Sequence, residues 1–138
     1  CHLAYIYSAK DREPESNELY KKAIVLDPGY DLPYINLGYT YLKNGQGDDA
    51  EPLLLKDIQL NNYDLGFMNA GHVYLIRGDE EKAIHHYEEG FGLTASEEGY
   101  LKGMQGDYEI LKQYNIAEDY YKGLIEKIKR PVKTPTAH

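Results

Sequence analysis

Residues 34–58 read YINLGYTYLKNGQGDDAEPLLLKDI, and this stretch decides the fold. Tyr34, Leu37, Gly38, Tyr41 and Leu42 recur at helical spacing, so they predict one apolar face that ends at Asn44-Gly45, a helix-stop signal. Asp48 then opens a second helix, with Glu51 three residues later as a capping box. Ala50, Leu53, Leu54 and Ile58 give that second helix its own apolar face. Two short amphipathic helices joined by a tight turn predict a helical hairpin.

The hairpin is one of a series. Tyr7, Tyr41, Tyr74 and Tyr108 are spaced by 34, 33 and 34 residues, and the column Ser16, Ala50, Ala83 and Ala117 repeats those steps. The column Tyr20, Leu54, Tyr87 and Tyr121 does so a third time. Three columns that share the same one-residue deletion establish a repeat architecture before any element is assigned. In the third unit, Phe67, Ala70, Gly71 and Tyr74 precede a break at Arg77-Gly78, and Asp79 opens the run through Ala83, Ile84 and Tyr87. In the fourth, Thr94 and Glu97 are a candidate capping box ahead of Leu101, Met104 and Tyr108, and Asn115 caps a helix from Ala117 to Lys129. In the first, Leu3, Ala4 and Tyr7 precede a helix from about Glu15 to Leu26 that closes at Asp27-Pro28. The small residues predict close approach: Ala4, Gly38 and Gly71 are expected to face Ser16, Ala50 and Ala83 across each hairpin. A lone pair of helices cannot bury such faces, so the units must stack into a solenoid.

Composition agrees. Leu, Ile, Val and Phe number only 31 of 138 residues, while Tyr numbers 15, so the core is largely phenolic. Val and Thr total seven, poor stock for a sheet. The formal charge of −8 opposes nucleic-acid binding, which needs clustered Lys and Arg. No apolar run approaches the roughly 20 residues of a membrane span. A single Cys leaves compartment undecided; a soluble, cytoplasmic placement is preferred to a periplasmic or lipid-anchored one.

The motifs Tyr34-x-x-Leu37-Gly38-x-x-Tyr41 with Ala50, and Phe67-x-x-Ala70-Gly71-x-x-Tyr74 with Ala83 and Tyr87, resemble the tetratricopeptide repeat family. In the first unit, Ala23 followed by Asp27-Pro28 looks like the family's alanine-to-proline ending. The resemblance implies an all-α, right-handed solenoid of four hairpins over residues 1–131, dividing at about 1–30, 31–63, 64–97 and 98–131. Residues 132–138 are expected to form a disordered tail. Asp57 and Leu124 depart from the pattern where a small residue is usual, as does Gln105 where Gly is expected, so the second and fourth hairpins should be less regular. Cys1 falls inside the first helix, which suggests a fragment or a processed chain. Leu124, Ile125 and Ile128 are expected to stay partly uncovered at the other end.

The resemblance further implies a binding scaffold whose concave groove is lined by the first helix of each unit. The groove-facing positions would be Tyr5 and Ala9, then Ile35, Tyr39, Leu42 and Lys43, then Met68, His72, Leu75 and Ile76, and last Lys102, Gly106 and Glu109. Their apolar middle suits a protein or peptide with apolar anchors. One subset of the family grips a terminal carboxylate with cations around groove asparagines. Asn36 and Asn69 occupy plausible places, but Cys1, Tyr5 and Leu65 stand where that clamp needs polar or basic groups.

No catalytic, metal or cofactor site emerges. His85 and His86 point about 100° apart on one helix, and no HExxH or CxxC occurs. Gly90-Phe91-Gly92-Leu93-Thr94-Ala95 matches a dinucleotide fingerprint in letters only, since it follows a helix instead of a strand. Acidic residues cluster at helix starts and Lys10, Lys43, Arg77 and Lys112 at the ends of first helices, as the helix dipole favours. The rival readings are a regulatory or targeting segment of a larger enzyme or envelope-assembly protein, and a self-assembly module forming homo-oligomers through exposed terminal helices.

Overall fold

A helix can stop abruptly where a residue takes a left-handed conformation, and Gly45 and Gly78 do so, with φ of 79° and 85°. In the computed structural model, which describes residues 13–129, these stops separate the elements of two helical hairpins. Helix α1 spans Glu13–Leu26, α2 Leu32–Lys43, α3 Gly47–Leu60, α4 Asp64–Ile76 and α5 Glu80–Leu93. Then come α6 (Glu97–Gly106), the single turn α7 (Tyr108–Leu111), a 3₁₀ turn at Lys112–Tyr114, and α8 (Glu118–Lys129). Among the described residues there is no strand. Helix α1 packs on α2, α2 on α3, α3 on α4 and α4 on α5, the order of a helical-repeat solenoid.

Three helix starts differ from expectation. Helix α3 begins at Gly47, one residue before Asp48, and no side chain caps it; Asp48 and Asp49 lie instead in its first turn, where the dipole favours them. The cap of α6 is Ser96, whose Oγ accepts from the Gly99 amide at 3.0 Å, while Thr94 is tied up with the Ser96 backbone. Asn115 takes φ 65° and closes the preceding 3₁₀ turn, so α8 starts after Ala117. Asp79 caps α5 as expected, accepting from the Lys82 amide.

The hairpins close where the sequence places small residues. Ser16, Ala50 and Ala83 are fully buried. The two glycines make room for the large column of the facing helix. A Cβ on Gly38 would lie 2.7 Å from the Leu54 side chain, and one on Gly71 would lie 2.6 Å from the Tyr87 ring. Burial of Leu54 and Tyr87 in these notches contributes roughly 1.5–3 kcal/mol each.

A phenolic core must also satisfy its hydroxyls, and several here do so on backbone carbonyls of a helix or turn. Tyr34 donates to Pro28 O at 2.8 Å, Tyr100 to Tyr87 O at 2.8 Å and Tyr121 to Met104 O at 2.8 Å. The first ties α2 to the turn before it, and the other two tie one helix to the helix packed against it.

The fourth unit is bent. Asp107 alone interrupts its first helix, between α6 and α7, and Ala117 is exposed where Ser16, Ala50 and Ala83 are buried. Tyr108 nevertheless reaches Ile116 O at 2.7 Å and stacks on Tyr121 at 5.7 Å. The expectation of an uncovered last helix is overturned. Leu124, Ile125 and Ile128 are at most 3% exposed, because α8 lies on α5 and α6 in one cluster with Ala83, Tyr87, Met104 and Leu111.

Candidate functional site

The bend brings the fourth unit across the face formed by α2 and α4. Asp107, at the break after α6, accepts from the Tyr39 hydroxyl at 2.9 Å and pairs with His72 Nε2 at 2.9 Å. With hydrogen on Nε2, the ring's Nδ1 accepts from the Tyr87 hydroxyl at 2.7 Å, and both imidazole nitrogens are satisfied. Further along, Tyr114 donates to Leu42 O at 2.7 Å and Gln113 Nε2 to Lys43 O at 2.9 Å. Ile110 and Tyr114 pack on the cluster of Leu42, Ala50, Leu54 and Val73. Residues 107–114 therefore form a strap from the end of α6 onto α2, with a contact to His72 of α4 on the way.

What stays open is a cleft of about 360 Å³ between α2, α4 and the strap. Ile35, Leu65 and Met68 supply an apolar wall; Asn36, Thr40 and Asn69 supply polar groups; Lys43 and Asp107 stand with Tyr39 in the same lining, beside Tyr20 and Gly103. The Lys43 ammonium sits 5.8 Å from the centre of the Tyr39 ring. Burial, then the Asp107 carboxylate, hold the Tyr39 phenol well above its usual pKa, so it is a neutral donor at any physiological pH.

Four of the sequence-predicted groove residues line this cleft, Ile35, Tyr39, Lys43 and Met68, although Met68 is itself a core residue at 2% exposure. Three are corrected. Leu42, His72 and Leu75 are buried at no more than 5% exposure, because the strap and the neighbouring hairpins cover them. Ile76 is half-buried between two core clusters. Lys102 is exposed and pairs with Glu98 at 3.3 Å, outside the cleft. Gly106 is exposed beyond it, and Glu109 pairs with Lys112 at 2.7 Å. Tyr5 and Ala9 lie outside the described residues. The structure adds Tyr20, Thr40, Gly103 and Asp107 to the lining. Asn36 and Asn69, one repeat apart, were legible through the period, whereas Asp107 enters only through the helix break.

Among the described residues no group of three or more His, Cys, Asp or Glu is placed to hold a metal ion. None of the described helices is long and apolar enough to cross a membrane. The fingerprint-like Gly90–Thr94 segment forms the last turn of α5 and its cap, so no strand-to-helix phosphate loop exists there.

Residues 19–51 and residues 66–97 each match a family model described as tetratricopeptide repeat. Comparison with curated proteins gives no match.

Proposed function

We propose that this chain, a tetratricopeptide repeat protein, is a non-catalytic scaffold that holds an extended segment of another protein in the cleft between α2 and α4. Such repeats mediate protein–protein interaction; the choice of surface and the form of the ligand are the proposal. Four repeats, dividing near residues 30, 63 and 97, form the scaffold on this reading.

The observation that carries it is the composition of the cleft. An apolar wall of Ile35, Leu65 and Met68 faces amides that can meet a peptide backbone, and Lys43 stands at the rim. A helix is about 10–12 Å across with its side chains. A space of about 360 Å³ under the strap accepts one or two apolar side chains of an extended strand better than a whole helix. The lining is fixed beforehand by the Tyr39–Asp107–His72 bonds, so little ordering cost remains on binding.

Selection from a randomised peptide library tests this. Peptides with an apolar anchor should be enriched, and Leu65→Glu together with Ile35→Glu should abolish their capture while helical circular dichroism is retained. Capture that survives both changes in a folded variant would move the site elsewhere on the solenoid.

A further inference from the structure

The cleft between α2, α4 and the strap holds a polar group that the fold does not use. Asn69, on α4, is only 6% exposed, yet its amide makes no hydrogen bond to any described residue. Asp57 Oδ1 is unbonded too, but it is sealed inside the protein, whereas neither amide atom of Asn69 is sealed. The open space that Asn69 lines is the cleft. A carboxamide kept this deep without a partner works against the fold. Thr40, 3% exposed, lines the same cleft, and its hydroxyl donates to Asn36 O at 2.9 Å, so its oxygen still offers lone pairs.

Depth decides what can reach Asn69. Asn36, one repeat earlier in the same lining, is half-buried, and the backbone of a bound segment passes at that shallower level. A group that meets the Asn69 amide is therefore the tip of a side chain. Its body must be apolar, because Ile35, Leu65 and Met68 wall the cleft. An aromatic body suits the wall best: Met68 supplies a thioether, and the Tyr39 ring stands in the same lining. Gly103 leaves room beside Met68, since a Cβ there would lie 3.3 Å from Met68 Cε. The tip must both donate and accept, because a carboxamide offers N–H groups and an oxygen. A phenol does both, an indole N–H only donates, and a plain benzene ring does neither. A cationic tip would enter unpaired, because the Asp107 carboxylate already accepts from Tyr39 and meets His72.

We propose that the segment held in this cleft presents a tyrosine, whose ring lies against Met68 and Tyr39 and whose hydroxyl bonds the Asn69 amide. This anchor rests on the reading of the cleft as a peptide site and specifies it. Binding supplies the bond that the folded chain alone lacks, so the site separates tyrosine from phenylalanine by one hydroxyl.

Four randomised peptide libraries that differ only in a fixed central residue, tyrosine, phenylalanine, tryptophan or leucine, test it by capture on the full chain. The tyrosine library should be captured about tenfold or more above the phenylalanine library. Asn69→Leu removes no bond and nearly keeps the side chain's size. It should therefore melt no earlier than the unaltered chain, and it should erase the advantage of tyrosine over phenylalanine. Capture led by any of the other three libraries, or a tyrosine preference that survives Asn69→Leu, would overturn the anchor and leave the peptide site standing. Earlier melting of Asn69→Leu would also overturn it, by showing that the amide serves the fold. Capture from none of the four libraries would overturn the anchor and the peptide site together.

Discussion

The Tyr39 hydroxyl donates to Asp107 Oδ1 at 2.9 Å, joining residues 68 positions apart in sequence. The other carboxylate oxygen meets His72 Nε2, so one carboxylate links α2, α4 and the break after α6. Asp107→Ala would leave the fully buried His72 ring with an unmatched nitrogen, whereas the half-buried Tyr39 hydroxyl borders the open cleft, where water can meet it.

Leaving buried polar groups unpaired costs about 1–3 kcal/mol each. Asp107→Ala should therefore lower the urea midpoint clearly, whereas Asp107→Asn keeps an acceptor and should cost less. The Ala variant should also bring the Tyr39 phenol pKa down towards its ordinary value, since the carboxylate is a cause of its elevation. Ultraviolet titration of the phenols reads that change; an unmoved titration would show that the strap does not depend on this bond.

Asp57 gives a stability prediction with a defined pH dependence. Its side chain is fully buried, Oδ2 accepts from Tyr63 at 2.7 Å, and Oδ1 has no partner. Burial, with Asp31 adding repulsion against the relief from Tyr63, pushes the carboxyl up to about 6 from 3.8. A raised acid binds its proton more tightly in the folded state. Well below pH 3.8 both states are protonated and the ionisation-linked penalty vanishes; as pH rises through 3.8 towards 6 the unfolded state gains by ionising and stability falls; above that the penalty is constant. Asp57→Asn should thus stabilise the protein on the order of 2 kcal/mol at pH 7 and little at pH 4. Denaturant unfolding at the two pH values checks both halves.

The sequence made the hairpins legible because their signals are local. Gly45 and Gly78 end helices wherever they stand, and the columns through Ser16, Ala50 and Ala83 mark contacts inside a single hairpin. The strap was not legible, because nothing near Asp107 says that it will meet Tyr39. Gln105 stood out as a departure from the repeat, yet its consequence, a helix that bends over its neighbours, depends on partners one and two units away. The same fact explains the misplaced groove residues. His72 is expected from the spacing to face the groove, yet it is buried, held between the Tyr87 hydroxyl of α5 and the Asp107 carboxylate after α6. Leu124, Ile125 and Ile128 were expected to lack a cover for the same reason in reverse: α8 finds its cover on α5 and α6, outside its own hairpin.

Glycines separate close packing from mere helix propensity, and the chain offers a matched pair. Gly71 sits in α4, where an added Cβ would meet the Tyr87 ring at 2.6 Å, and Tyr87 is itself held by His72. Gly123 sits in α8 with nothing within 4 Å of its Cβ position. Gly71→Ala must push apart a hairpin that has no slack, at a cost of about 1–3 kcal/mol. Gly123→Ala meets no obstacle and should stabilise by roughly 0.5–1 kcal/mol, because alanine loses less backbone entropy in a helix. Thermal unfolding of the two variants should move in opposite directions. If both moved upwards, the α4–α5 contact at Tyr87 would have to be looser than described, and the notch that seats the large column would lose its role in closing the repeat.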